Sequence, residues 1–201
     1  MSESAIEQRP LSRKVSTAHR ITVCAQRLTD RHGLDGFTME DLAVEAGVSR
    51  RTLFNYFAGK VDAVLGPGPG DDVPDEVVGE FRDRGPTGDL IEDIGFLMAR
   101  ILTVKGFEAA EAEVARRVIN GNPRLLAAAH ERFGSTVEPF TDLLLEREGQ
   151  AFGRQRARLL LTIIVGLHDL VLDEVLADPT GRRTLPEAYV DALRTTRDLL
   201  S

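Results

Sequence analysis

The chain has 201 residues, 42% of them hydrophobic and 28% charged, a balance typical of a soluble protein with one or two domains and a substantial core. The single cysteine, Cys24, excludes an internal disulfide, and no signal-peptide pattern or membrane-spanning apolar run occurs, so we expect a cytoplasmic protein without membrane contact. The formal net charge of −7 argues at first against a nucleic-acid partner.

The first fifteen residues carry Arg9, Arg13 and Lys14 without apolar periodicity. We therefore predict a flexible arm over residues 1–15. If the domain that follows binds DNA, Arg13 and Lys14 are candidates to enter the minor groove. The alternative interpretation is an ordinary disordered terminus with incidental charge.

Residues 16–32 predict the first helix. Ile21, Cys24, Ala25 and Leu28 recur at helical spacing, and Gly33 closes the pattern. Cys24 falls on the inward stripe, so we interpret it as a small buried hydrophobe rather than as a redox sensor.

Residues 38–60 predict two short helices joined by a tight turn. Thr38 is a suitable N-cap for the first helix, Gly47 lies where the chain reverses, and Ser49 caps the second helix. This order of elements is a helix-turn-helix, a motif that proteins use to place a helix in the major groove of DNA.

The second of these helices carries donor-rich residues on one face. At 100° per residue, Leu53 and Phe57 point inward, whereas Arg51 and Asn55 point outward. Arg can donate two hydrogen bonds to guanine, and Asn can pair with adenine through both its donor and its acceptor, so the outward pair suits base reading. Lys60 lies just beyond, where a cation can neutralise a phosphate.

The charge distribution removes the objection raised by the acidic net charge. Residues 9–60 hold nine Lys or Arg against five Asp or Glu, whereas residues 61–201 hold sixteen against twenty-five. DNA should therefore be attracted to one end of the molecule and repelled by the other.

Residues 16–65 resemble the tetracycline-repressor (TetR) family of bacterial regulators. The resemblance rests on the threonine-led helix at Thr38, on the Ala-Gly-Val-Ser sequence of residues 46–49, on the aromatic-rich second helix and on Lys60. It implies phosphate contacts by Thr38, Thr52, Tyr56 and Lys60 and base contacts by Arg50, Arg51 and Asn55. Phe54 departs from the family pattern, which commonly has a phosphate-contacting tyrosine there. The DNA-binding residues that we expect are therefore Arg13, Lys14, Thr38, Ser49, Arg50, Arg51, Thr52, Asn55, Tyr56 and Lys60.

Beyond a break rich in Gly, Pro and acid at residues 66–76, the chain is helical by pattern. A brief helix over 74–84 precedes helices that begin near Thr87, Phe107 and Pro123, with a kink expected at Pro139. The last two helices are expected over residues 154–177 and 185–200. No strand pattern occurs, so the predicted fold is all-α: a three-helix helix-turn-helix DNA-binding domain over residues 16–65 and a helical ligand-binding and dimerisation domain over residues 66–201.

The helix expected over 154–177 is apolar nearly all round from Leu159 to Leu176. A helix of this kind needs burial on every side, and in so small a domain the second partner is expected to be another subunit. We therefore predict a homodimer in which the last two helices and their mates form a four-helix bundle, an arrangement that the resemblance also implies.

The resemblance further implies a small-molecule site among the C-terminal helices. The sequence does not identify the effector, and core packing is the alternative role for each aromatic, Met or His candidate. The candidate lining residues are Phe96, Met98, Arg100, Phe107, Asn120, His130, Phe133, Phe140 and His168.

No catalytic, metal or cofactor motif is present in the sequence. His130-Glu131 and His168-Asp169 are adjacent pairs, whose side chains diverge by about 100° on a helix and do not form a dyad. We expect a DNA-binding regulator rather than an enzyme, specifically a repressor that a ligand releases from a palindromic operator. The alternative is a helical small-molecule-binding protein that no longer binds DNA.

Overall fold

The computed structural model describes residues 13–68, 73–105, 108–178 and 180–199, and it describes Arg13, Val104, Lys105, Phe133, Ser135 and Thr136 by their backbone alone. Within these ranges the chain is helical and contains no strand. None of these helices is long and apolar enough to cross a membrane. The helices are α1 (Arg13–His32), α2 (Met39–Glu45), α3 (Arg50–Tyr56), α4 (Lys60–Leu65), α5 (Asp75–Arg82), α6 (Leu90–Lys105), α7 (Ala109–Asn120), α8 (Pro123–Glu148), α9 (Arg154–Ala177) and α10 (Leu185–Leu199).

Helices α1 to α4 form a small N-terminal domain, which we call the head. Its core contains Ile21 and Ala25 from α1, Leu42 from α2 and Leu53 from α3, each fully buried. The core also takes in Val118 of α7 and Leu125 of α8. Two helices that follow the predicted domain boundary at residue 65 therefore help to form the apolar core of the head.

The start of α1 corrects the prediction of a flexible arm over residues 1–15. The helix begins at Arg13, so Arg13 and Lys14 belong to its first turn. Arg and Lys are good helix formers, and no helix-breaking residue separates them from the periodic segment that follows. The rest of the predicted arm, including Arg9, lies outside the described residues.

Cys24 also differs from its predicted state, because it is half-buried rather than fully buried. Its Sγ lies 3.7 Å from the carbonyl oxygen of Glu45 and packs beside the head core. Partial burial raises the pKa of the Cys24 thiol, with a further contribution from the nearby Glu45 carboxylate. The shift disfavours the reactive thiolate and agrees with a packing role.

Helices α5 to α10 form the second domain, which we call the core domain. Helix α6 packs mainly against α10, and α9 packs against both α8 and α10. The largest buried side chains at this junction belong to Tyr189, Leu172 and Val171. Helix α8 continues through Pro139 and ends at Glu148.

Helix α6 begins at Leu90 rather than near Thr87 because Asp89 caps it. One Asp89 carboxylate oxygen accepts hydrogen bonds from the backbone N–H groups of Ile91 and Glu92, each at 3.0 Å. Thr87 instead donates from its backbone and its hydroxyl to Asp93. The residues before the helix therefore form a loop that is tied to its first turn.

Candidate nucleic-acid interface and ligand cavity

The helix-turn-helix is held by side-chain caps at both of its helices. The Thr38 hydroxyl accepts a hydrogen bond from the Asp41 N–H at 3.1 Å, and the Asp41 carboxylate accepts the Thr38 N–H at 2.8 Å. At the turn Gly47 adopts a φ of 62°, which a side chain would disfavour. The Ser49 hydroxyl then accepts the Thr52 N–H at 3.0 Å and starts α3. These caps fix the angle at which α3 leaves the turn.

Helix α3 has one buried face and one exposed face, as the periodicity predicts. Leu53 is 0% exposed and Phe57 is 6% exposed, so both are anchored in the head core. Arg51 and Asn55 lie on the exposed face. Two groups able to read bases are thus displayed on a helix whose opposite side is fixed by packing.

The other residues of α3 that are predicted to contact DNA make different contacts within the protein. The Arg50 guanidinium makes a 2.9 Å ion pair with Glu40 of α2 and lies 5.5 Å from the centre of the Phe54 ring. The Thr52 hydroxyl shares a 2.8 Å hydrogen bond with the Ser49 hydroxyl. Tyr56 is half-buried and packs against the head core. Arg50 is therefore held against α2, whereas Arg51 extends from the exposed face.

Lys60 is bound more closely to the protein than the sequence indicates. Its Nζ donates a 2.9 Å hydrogen bond to the Phe37 carbonyl and lies 5.1 Å from the centre of the Phe37 ring. The bond ties the start of α4 to the loop before α2. Lys60 thus has a packing role in addition to its predicted phosphate contact.

Several ion pairs join the head to the core domain. Asp30 of α1 receives two hydrogen bonds from Arg117 of α7, at 3.0 and 2.8 Å, and these bonds lower the pKa of the Asp30 carboxyl. Asp62 of α4 receives one from Arg132 of α8 at 3.0 Å. Arg132 also donates to the Gly66 carbonyl at the end of α4. Polar contacts therefore link α8 directly to α4.

A cavity of about 330 Å³ lies inside the core domain beside α4. Its wall is almost entirely apolar and is built from α6, α8 and α9, with Phe81 of α5 and Tyr189 of α10. The predicted lining residues Met98, Phe140 and His168 all reach it. Its remaining described lining residues are Leu65, Pro67, Ile94, Leu97, Ile101, Leu102, Arg132, Val137, Leu143, Leu144, Leu161, Ile164 and Val165.

Four of the predicted ligand-site residues, Phe96, Arg100, Asn120 and His130, do not line this cavity. Phe96 and Arg100 lie one turn apart on the exposed face of α6, opposite the wall formed by its other apolar residues. Asn120 and His130 are exposed on α7 and α8. Phe107 lies outside the described residues, and for Phe133 only the backbone is described.

Arg132 and Tyr189 line the cavity but were not predicted to do so. Arg132 precedes Leu143 by eleven residues, or three helical turns, so the two share a face of α8. Tyr189 belongs to α10. In the structure it is 2% exposed, and its hydroxyl donates to the Ile164 carbonyl at 3.3 Å.

The histidine in the cavity wall is held in its neutral form. Burial lowers the pKa of His168, and the positive charge of Arg116 adds to this, while Asp169 opposes it. Its ring lies 6.2 Å from that of Tyr189, and burial raises the pKa of the Tyr189 phenol. Both groups therefore present uncharged hydrogen-bonding atoms at neutral pH.

Comparisons with known proteins agree with the helix-turn-helix at the N-terminus of the chain. Residues 21–64 match the family model for bacterial regulatory proteins of the tetR family. Over 54 residues the chain is 41% identical to a Mycobacterium tuberculosis protein named as a mycofactocin biosynthesis transcriptional regulator, MftR. That match spans 27% of this chain and 27% of the relative.

The fold also matches along most of the chain. A crystal structure of a protein described as a TetR-family transcriptional regulator from Mesorhizobium loti superposes with a TM-score of 0.50 and 20% sequence identity. The alignment covers 92% of this chain and 98% of the other. The chain therefore carries a tetR-family helix-turn-helix domain at its N-terminus, and along most of its length it has the fold of the TetR-family protein from Mesorhizobium loti.

Proposed function

We propose that this TetR-family regulator is a homodimeric, cytoplasmic repressor that a small molecule releases from a palindromic operator. The observation that carries the proposal is the display of Arg51 and Asn55 on the exposed face of α3, opposite the buried anchors Leu53 and Phe57. A helix held in this way can enter the major groove with its base-reading groups already oriented, so little ordering accompanies binding.

The dimer is supported by apolar surface on α9. Leu159 and Leu170 are 62% and 60% exposed, and they share one face of α9 with Ile163 and Gly166 at helical spacing. The opposite face of the same helix is buried through Ala157 and Ile164. A twofold contact between these stripes would bury them and place two copies of α3 against two half-sites of a palindrome.

The release step is supported by the position of the cavity. It touches the head through Leu65 at the end of α4, and Arg132 in its wall is bonded to Asp62 of the same helix. The cavity can have a different shape when the two heads are not at the spacing that DNA binding requires. A ligand that binds this shape best would weaken DNA binding. By linkage, DNA would weaken ligand binding by the same factor.

The test is selection of binding sites from a random-sequence DNA library by the purified full-length protein. The control is the double variant Arg51→Ala/Asn55→Ala, with folding and oligomeric state checked for both proteins. Enrichment of a palindrome by the natural sequence alone is the expected result. If the folded protein enriches nothing, or if the variant enriches the same site, the proposed mode of DNA reading is overturned, and a helical ligand-binding protein becomes the better description.

A further inference from the structure

The cavity wall combines a large apolar surface with one cationic side chain. Among the described residues that line it, Arg132 alone carries a charge at neutral pH, and none of these residues is a carboxylate. His168 is kept neutral by burial. An anionic group on an otherwise apolar ligand would therefore find one favourable position in this wall, beside Arg132.

Arg132 already binds a carboxylate at this position. Its guanidinium donates to Asp62 at 3.0 Å and also to the Gly66 carbonyl. The Asp62 side chain is 43% exposed, so water can replace Arg132 as its partner if the ion pair opens. Replacement of the Asp62 carboxylate by a ligand carboxylate at Arg132 would therefore cost little free energy. Contact between the apolar wall and the apolar part of the ligand would favour ligand binding.

The exchange would act on α4. Ala63 and Val64 of this helix are fully buried in the head, and the Val64 carbonyl accepts a 3.0 Å hydrogen bond from Gln26 of α1. Helix α4 is thus part of the head, and Arg132 ties it to α8 of the core domain. Loss of the bond to Asp62 would loosen this tie at the point where the head meets the cavity.

From these observations we propose that the effector is an apolar carboxylic acid, whose carboxylate takes the place of Asp62 on Arg132 and thereby frees α4 from α8. This proposal rests on the proposed function and specifies the ligand class and the switch. It assigns Arg132 two positions: bonded to Asp62 when the cavity is empty and bonded to the ligand when it is full.

The test compares decanoate with decanol, which has the same chain length but no charge, below the concentrations at which either aggregates. Binding to the full-length protein is measured by calorimetry at neutral pH, and release of a selected operator is measured by fluorescence anisotropy. Decanoate should bind about tenfold or more tightly than decanol, because a charge-assisted hydrogen bond is added to the same apolar contact. Decanoate should also release the operator.

Arg132→Gln should abolish the preference for decanoate over decanol, so that the two ligands bind this variant about equally. Arg124→Gln is the matched control, because Arg124 also joins α8 to the head, through Asp35 at 3.1 Å, but does not line the cavity. This control should keep the preference. Asp62→Asn should bind decanoate more tightly than the natural protein, because the competing carboxylate is gone. Decanoate should also release less operator from this variant than from the natural protein.

The proposal is overturned if decanol binds as well as decanoate, if neither binds, or if Arg132→Gln keeps the preference. Should Arg132→Gln fail to fold, the decanoate and decanol comparison on the natural sequence decides the matter together with Arg132→Lys, which should retain part of the preference. Operator selection in the absence of any ligand tests the proposed function separately. A palindrome selected by a protein that ignores decanoate would overturn only the ligand assignment.

Discussion

Arg147 of α8 and Asp93 of α6 form an ion pair in which both side chains are fully buried and the N–O distance is 2.5 Å. The Asp93 carboxylate also accepts hydrogen bonds from Thr87, and Arg147 donates to the Phe81 carbonyl at 2.6 Å. The pair thus fastens α6, α8 and the end of α5 around the cavity. Its hydrogen bonds satisfy two charges that would otherwise be expensive to bury.

Removal of one charge from this pair should strongly destabilise the protein. We expect Asp93→Asn to lower the free energy of unfolding by about 3–5 kcal/mol, because Arg147 would lose its fully buried counter-charge and keep only the partly exposed Glu148 carboxylate, 3.0 Å away. Urea unfolding at a fixed protein concentration measures the change. As a control, Glu146→Gln removes one partner of the exposed Arg82 pair and should change stability by less than about 1 kcal/mol. Similar losses in the two variants would contradict a structural role for the buried pair.

The same carboxylate should contribute to the acid sensitivity of the protein. Burial alone would raise the pKa of Asp93, but the hydrogen bonds from Thr87 and Arg147 outweigh burial and hold the pKa below its usual value. Because the folded-state pKa is the lower one, the stabilisation is present above the unfolded pKa of about 3.9 and is lost as pH falls through the folded pKa. The difference in unfolding free energy between the natural protein and Asp93→Asn should therefore shrink below about pH 4. A difference that is constant with pH would rule out this titration.

Arg51 and Lys60 should contribute to DNA binding in different ways. We expect Arg51→Ala to weaken operator binding by about 1–3 kcal/mol and to relax specificity, because a base contact is lost. Lys60→Ala should weaken operator and random DNA alike and reduce the salt dependence of binding. It should also lower the thermal stability of the head, because the bond from Nζ to the Phe37 carbonyl disappears. Titrations of both DNA types at several salt concentrations test these expectations, and equal losses for Arg51→Ala on both would contradict base reading.

Glu40 should limit the DNA affinity of the head. Its carboxylate holds Arg50 at 2.9 Å and adds negative charge beside the recognition helix α3. Glu40→Gln should therefore tighten operator binding by about two- to fivefold at low salt, with the gain shrinking as salt is added. Glu146→Gln removes the same charge far from the head and serves as the control. Weaker binding by Glu40→Gln would show that the ion pair positions Arg50 for DNA rather than restraining it.

The proposed dimer depends on the exposed stripe of α9. Leu170→Glu should shift the protein from dimer to monomer in analytical ultracentrifugation, because a charge would have to be buried at the centre of the contact. Leu126→Glu is the matched control, because Leu126 is 49% exposed on α8, outside the proposed contact. A Leu170→Glu protein that remains dimeric would place the interface elsewhere.

Most of the head could be predicted from local pattern. The caps Thr38 and Ser49, the turn at Gly47 and the inward positions of Leu53 and Phe57 all follow from residue type and spacing within one or two turns of helix. The start of α1 was harder to place, because Arg13 and Lys14 carry no apolar signal and a helix end has few local determinants.

The cavity residues were only partly predictable, because a helix exposes or buries a face according to its neighbours. Met98 and Arg100 lie two residues apart on α6, yet Met98 lines the cavity and Arg100 lies on the exposed face. Periodicity identifies the apolar stripe of each helix but does not reveal which stripe borders an open space. Arg132 was missed for the same reason, since a lone Arg beside an apolar stripe usually lies in solvent.

The sequence by itself determined the all-helical fold, the helix-turn-helix and the outward direction of Arg51 and Asn55, since each depends on contacts between residues near in the chain. Only the tertiary structure decided which side chains meet across long separations: Arg147 with Asp93, Arg132 with Asp62, and Val118 and Leu125 with the core of the head. Those contacts depend on how whole helices pack, and packing follows from the complementary shapes of many side chains together rather than from any local pattern.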